Sequence, residues 1–161
     1  MQLNLTPDQE FFRDNTAKFL NEHATPTEIR RLRDEPDGFV ADYWRRGAEL
    51  GWTSLLVDEA HGGGSISGNG LGDLALVADE FGRHAAPGPL VPTNIVAGAV
   101  SELAPDRHAD LLSSLLAGTS IASWCHLEPR PHDGLDELAL DVRVDGPDLV
   151  LNGTKRPVTN R

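Results

Sequence analysis

Two groups of residues have catalytic or ligand-binding potential, and the first is a run of glycines. Glycines recur from Gly62 to Gly72, and glycine-rich loops can hold phosphate against main-chain N–H groups. The spacing does not fit a nucleotide site, because Asp73 stands where a dinucleotide fingerprint has its third glycine and no Gly-Lys-Ser/Thr follows. We therefore expect a tight surface loop here.

The second group is the six histidines and the single cysteine, which raise the possibility of metal or thiol chemistry. Cys125, His126, His132 and Asp133 come nearest to a cluster, but adjacent residues of a strand point to opposite faces. Cys125 also stands in an apolar run, with no Lys or Arg beside it to activate the thiol. The sequence predicts no metal site and a buried, inert thiol.

Trp124 has two interpretations. A large aromatic residue on a strand just before a Glu-Pro turn can belong to the core, or it can form one wall of a site for a planar ligand. The residue type alone favours the core.

The composition excludes several classes of partner. The 161 residues carry a formal net charge of −11, which repels nucleic-acid phosphates and anionic membrane surfaces. No stretch approaches the ~20 apolar residues that span a bilayer, and the N-terminus lacks the pattern of a secretory signal. One cysteine cannot form an internal disulfide, so we expect a cytoplasmic protein.

Helical signals dominate the chain up to residue 118. Thr6, Pro7 and Gln9 have the form of a capping box, and Thr25 with Pro26 repeats the start signal. Residues 52–57 are predicted to be buried and extended. Apolar residues at helical spacing predict about six helices, with faces that span residues 12–20, 29–32, 40–48, 71–82, 95–103 and 108–116.

After residue 118 the apolar pattern becomes that of strands. Strands are predicted at 120–126, 138–144 and 149–151, so we divide the chain into a helical domain, 1–118, and a β domain, 119–161. A few strands cannot bury enough surface to stand alone, and their open edges invite pairing. The polypeptide is therefore expected to be the front part of something larger, or to be completed by a partner.

Five motifs occur in order along the chain. They are a helix start, a Leu-Gly-Trp stretch that ends in Gly-Gly, an Asp-Glu-Phe-Gly-Arg helix, a Glu-Pro turn and an Asn-Gly-x-Lys stretch, at residues 6–10, 50–63, 79–83, 127–129 and 152–160. Their order and spacing make the chain resemble the acyl-CoA dehydrogenase family, over the family's helical N-terminal domain and the opening of its middle β domain.

The resemblance implies an α+β, mainly α fold: a helical bundle of about six helices, then the first strands of an incomplete antiparallel β-barrel domain. It implies FAD as cofactor and α,β-dehydrogenation of an acyl-CoA thioester in lipid or steroid degradation. The catalytic base belongs to a C-terminal helical domain in this family. We therefore expect the complete protein or complex, rather than these 161 residues alone, to be the enzyme.

The resemblance also assigns residues to the cofactor and the substrate. Leu127 replaces a threonine that reaches the flavin, and Pro157 replaces an aromatic that packs on it. Residues 130–133 also depart from the family's Gly-Ser-Asp turn, near which the substrate-binding candidates His132 and Asp133 lie. The positions carried over as cofactor-binding are Trp124, His126, Leu127, Val158 and Thr159.

Two functional hypotheses follow from these departures. In the first, the chain is the N-terminal part of a FAD-dependent acyl-CoA dehydrogenase subunit that forms homo- or hetero-oligomers. In the second, it is a divergent partner subunit with a structural or assembly role in a heteromeric enzyme, and FAD is weakly bound or shared with the other subunit.

Overall fold

The computed structural model describes residues 4–33, 35–36, 38–129, 138–156 and 158. The chain divides into two compact units, Met1–Ala122 and Ser123–Arg161, which we call the helical unit and the β unit. In the described residues the helical unit contains six α-helices and one turn of 3-10 helix, Glu59–His61. The helices are α1 Pro7–His23, α2 Pro26–Leu32, α3 Ala41–Glu49, α4 Gly70–His84, α5 Leu90–Leu103 and α6 Ala109–Leu116.

The first two helices begin where their capping signals predict. The Gln9 N–H group donates to the Thr6 hydroxyl at 3.2 Å, and the Thr6 N–H group donates to the Gln9 side chain at 3.1 Å. Thr25 caps α2 in the same way, through the N–H group of Glu28 at 3.3 Å. Each bond satisfies an N–H group that the helix itself leaves unpaired.

Two helices differ from the sequence prediction at their starts. The helix α5 begins at Leu90, before the predicted apolar face at 95–103. Pro92 is tolerated there because it lies in the first turn, where its missing N–H group costs no helical hydrogen bond. The helix α6 begins at Ala109, and Leu112 and Leu115 are its buried residues. His108 stands outside the helix and is exposed.

Residues 52–57 are buried as predicted, but they are not extended. Trp52, Leu55 and Val57 are at most 3% exposed. The segment turns repeatedly, since Ser54 N–H donates to the Gly51 carbonyl and Val57 N–H donates to the Ser54 carbonyl. Gly51, with φ of 97°, supports the first turn in the left-handed region.

The core of the helical unit surrounds Trp52. Its ring lies 5.3 Å from that of Phe19 and 4.9 Å from that of Phe81, both edge-on, and its Nε1 donates to the Thr16 hydroxyl at 3.1 Å. Gly47 lies so close that a Cβ atom there would overlap the indole. The stretch that follows α3 thus supplies the centre of the core.

The β unit contains one antiparallel hairpin in its described residues, formed by β1 Asp141–Asp145 and β2 Asp148–Asn152. Gly146, with φ of 61°, makes the two-residue connection possible. These strands lie close to two of the three predicted ones. The third prediction, a strand at 120–126, is wrong: β1 and β2 pair with each other, and the segment has no strand partner among the described residues.

Candidate functional site

Glu128 and Lys155 form the least exposed ion pair among the described residues. Lys155 Nζ donates to Glu128 Oε1 at 2.8 Å, and the side chains are 15% and 6% exposed, respectively. The N–H groups of Ala139 and Leu140 donate to the two Glu128 oxygens at 2.7 and 3.1 Å. These hydrogen bonds, above all the one from Lys155, lower the pKa of Glu128.

Two further hydrogen bonds join the same two chain segments through the main chain. Lys155 Nζ donates to the His126 carbonyl at 3.2 Å, and the Arg156 N–H group donates to the Leu127 carbonyl at 2.8 Å. The segments 126–128 and 155–156 are therefore held in one geometry, although Glu128 and Lys155 are 27 residues apart. These are the Glu-Pro turn and the Asn-Gly-x-Lys stretch of the sequence analysis.

The side chains just before Glu128 are open to solvent. Trp124 is 55% exposed and Leu127 is 49% exposed, and Cys125 and His126 are also exposed. The assignment of Trp124 to the core and the prediction of a buried Cys125 thiol are both wrong. The physical reason is that no strand of the described residues pairs with this segment or covers it.

The structure brings part of the predicted cofactor set together. Trp124, His126 and Leu127 lie on one segment, and the main-chain bond from Arg156 to Leu127 brings the chain just before Val158 to it. Val158 is half-buried. The remaining predicted site residues, Thr159, His132 and Asp133, lie outside the described residues.

Glu128 and Lys155 belong to two of the motifs, but neither is among the predicted site residues. Opposite charges 27 residues apart are common in a chain with this much charge, so neither residue is conspicuous alone. The sequence nevertheless contains a signal for this pair. Glu128 lies in a Glu-Pro turn after an apolar run, and Lys155 lies in the stretch that follows a predicted strand. Gly153 belongs to that second stretch, and a Cβ atom there would come within 2.6 Å of the Leu140 side chain.

The glycine-rich loop of the helical unit is organised around a buried carboxylate. Asp73 is fully buried and accepts hydrogen bonds from Gln9 at 2.8 Å and from the Ser67 hydroxyl and N–H group at 2.8 and 2.9 Å. Burial raises the pKa of Asp73, but these hydrogen bonds outweigh it, so the pKa is lowered. A carboxylate at its centre makes this loop unfavourable for phosphate.

The residues that the structure describes show neither a metal-ligand cluster nor a membrane-spanning helix. Among these residues, no three His, Cys, Asp or Glu side chains are grouped as metal ligands would be. None of the described helices combines the length and the apolar character needed to cross a bilayer.

Comparisons with known proteins identify the same family as the resemblance. A family model described as the N-terminal domain of acyl-CoA dehydrogenases matches residues 6–119. The acyl-CoA dehydrogenase IpdE2 of Mycobacterium tuberculosis is 31% identical over 153 residues, which are 92% of this chain and 41% of that protein. The isobutyryl-CoA dehydrogenase of Dictyostelium discoideum is 28% identical over 156 residues, covering 95% and 36% of the two chains.

Solved structures show the same relationship. A variant of the Tcur3481–Tcur3483 steroid acyl-CoA dehydrogenase superimposes with a TM-score of 0.81 at 28% identity, over 94% of this chain and 41% of that one. The ChsE4–ChsE5 complex of Mycobacterium tuberculosis gives 0.77 at 26% identity, over 96% and 40%. The chain spans about two fifths of the length of these relatives. Its helical unit and the opening of its β unit place the chain in the acyl-CoA dehydrogenase family.

Proposed function

We propose that this chain is the N-terminal part of a FAD-dependent acyl-CoA dehydrogenase subunit. The complete protein or complex would oxidise an acyl-CoA thioester to its α,β-unsaturated product. The observation that carries this proposal is the Glu128–Lys155 pair, which ties two family motifs together and holds an exposed aromatic segment beside them. The family membership of the chain supplies the reaction class.

The residues present are compatible with a flavin ring. An indole that is 55% exposed next to an exposed leucine, Leu127, is a surface on which a planar, largely apolar ring can pack. In this proposal Trp124, His126, Leu127, Val158 and Thr159 hold FAD, which supplies the hydride acceptor for the reaction. His132 and Asp133 are proposed to lie near the thioester.

The helical unit has a proposed role in substrate binding. Leu71 on α4 is 71% exposed and Ile95 on α5 is 40% exposed, and with Leu56 they line an open groove. Such a surface is suited to form a wall for an apolar acyl group. The steroid acyl-CoA dehydrogenase among the related structures makes a lipid- or steroid-derived acyl-CoA the substrate class that we propose.

A second candidate function is favoured by one residue. Leu127 lacks the hydroxyl group that the resemblance associates with flavin binding, and two of the related structures are named for pairs of proteins. In this alternative the chain is a structural subunit of a heteromeric acyl-CoA dehydrogenase, and FAD is held mainly by the other subunit. In both cases we propose a cytoplasmic oligomer of acyl-CoA dehydrogenase subunits.

A visible spectrum separates these functions. The gene for the full open reading frame is expressed alone and together with a second acyl-CoA dehydrogenase subunit gene from the same source. Stoichiometric flavin absorption in the protein expressed alone supports the first function, and absorption that requires co-expression supports the second. A colourless protein in both preparations contradicts both.

A further inference from the structure

We propose that Lys155 and Glu128 are positioning residues for the cofactor: they set the main-chain path of residues 126–128, on which Trp124 and Leu127 depend. This inference rests on the proposed flavin site and deepens it. Neither side chain needs to touch the cofactor, because both act through the segment that they hold.

Most hydrogen bonds of the pair end on main-chain atoms of other residues. Besides binding each other, Lys155 donates to the His126 carbonyl and Glu128 accepts from the Ala139 and Leu140 N–H groups. Three of the four contacts therefore fix main-chain atoms of other residues. A pair that only neutralised charge would not require these contacts.

The pair is also largely shielded from solvent. The Glu128 side chain is 6% exposed and that of Lys155 is 15% exposed, so removing one charge leaves the other poorly solvated. The Arg143–Asp145 pair of the same unit provides a contrast, because its side chains are 63% and 60% exposed at 3.2 Å. Exposed pairs of that kind contribute little to structure.

Leu127 can form hydrogen bonds with a ligand only through its main chain. The Leu127 side chain has no hydrogen-bonding group, so any hydrogen bond that this residue makes must come from its main chain. The position of that main chain therefore matters more here than it would with a polar residue. The Arg156 N–H group already binds the Leu127 carbonyl, which adds to the same restraint.

The test uses the flavin-loaded protein in its native assembly and compares three variants with the wild type. Lys155→Met removes the charge and keeps the stem, Lys155→Arg keeps the charge, and Arg143→Met is the matched control that removes an exposed cation. The readouts are the FAD dissociation constant of the apoprotein, the visible circular dichroism of the bound flavin and the thermal midpoint.

We expect Lys155→Met to weaken FAD binding and to change the flavin dichroism. In metal sites, groups that orient ligands contribute about 10- to 100-fold in affinity, and we expect a loss of about tenfold here. Lys155→Arg should recover most of the affinity, and Arg143→Met should match the wild type. An unchanged dissociation constant and dichroism in Lys155→Met, or an equal loss in Arg143→Met, overturns the proposal.

Glu128→Gln serves if Lys155→Met does not fold. It removes the opposite charge but keeps a side-chain oxygen for the Ala139 or Leu140 N–H group, and the same loss of FAD affinity is expected. If it binds FAD as the wild type does, the positioning role is overturned. A wild-type assembly without flavin would instead refute the proposed function, so the two failures can be told apart.

Discussion

The helical unit and the β unit bury their apolar residues to very different degrees. In the helical unit, Trp52 and Val77 are fully buried. In the β unit, Val142 and Leu151 face each other across the hairpin and are 52% and 63% exposed. One part of the chain therefore forms a core from its own described residues, whereas the hairpin leaves its apolar residues largely exposed.

The two faces of the hairpin differ in character. The register puts Val142, Val144, Leu149 and Leu151 on one face, and all four are more than half exposed. The opposite face carries acidic residues and Arg143, with Val150 as its one apolar residue. An amphipathic hairpin of this kind buries one face in a complete sheet protein.

Substitutions at the centre of the helical core should destabilise the protein most. Trp52→Ala removes the ring that contacts Phe19 and Phe81 and leaves the Thr16 hydroxyl without its donor. We expect a loss of about 3–5 kcal/mol in the free energy of unfolding, as for other buried aromatic residues. Urea unfolding followed by far-UV circular dichroism measures it.

Leu103→Ala is the control for that experiment, since Leu103 is 79% exposed at the end of α5. Its cost should stay within about 0.5 kcal/mol. A small effect of Trp52→Ala, equal to that of the control, would show that the helical unit is not organised around Trp52.

The next effect concerns the buried carboxylate of the glycine-rich loop. In Asp73→Asn an amide NH₂ group can replace one oxygen beside the Gln9 and Ser67 donors, and we expect a cost of about 1–3 kcal/mol. The wild type should also lose stability in acid. Because the folded pKa of Asp73 is lowered, its contribution is complete above the ordinary value of about 3.9 and is lost as the pH falls through the folded value.

Unfolding midpoints between pH 6 and pH 2 test this sign. The wild type should lose more stability than Asp73→Asn over that range, so the two curves converge in acid. Parallel curves would mean that Asp73 does not contribute through its charge.

A Val→Thr substitution made in each unit compares the two units directly. Val77→Thr places a hydroxyl group in the core of α4 and should cost about 1–3 kcal/mol. Val144→Thr changes a residue that is 71% exposed on the hairpin and should cost less than about 0.5 kcal/mol in the chain alone. Urea titrations followed by amide NMR signals report on each unit separately, and equal costs would contradict the contrast.

The sequence predicted the parts of the fold that depend on local patterns. Thr6 and Thr25 predict the starts of α1 and α2, because each cap involves a residue only three positions away. The mainly helical α+β class is confirmed, and so is the family. The start of α5 at Leu90 lies before the predicted apolar face at 95–103, because apolar periodicity alone does not mark a first turn that contains Pro92.

The candidate site was less predictable, because its geometry depends on residues distant in the chain. The Glu128–Lys155 contact and the role of Asp73 follow from tertiary packing that periodicity does not reveal. Residue type favours the interior for Trp124, and the apolar run favours it for Cys125, yet both are exposed. Residue type gives the tendency to be buried, but the presence of a covering strand decides whether burial occurs.

We propose that the β unit is completed only when the proposed flavoprotein assembles, and amide hydrogen exchange tests this most directly. In the chain alone, amides of α1 and α4 should be strongly protected, whereas those of β1 and β2 should exchange quickly. In the assembled flavoprotein, the hairpin and residues 124–128 should become protected as well. Strong protection of the hairpin in the chain alone, or no added protection on assembly with FAD, would contradict this proposal.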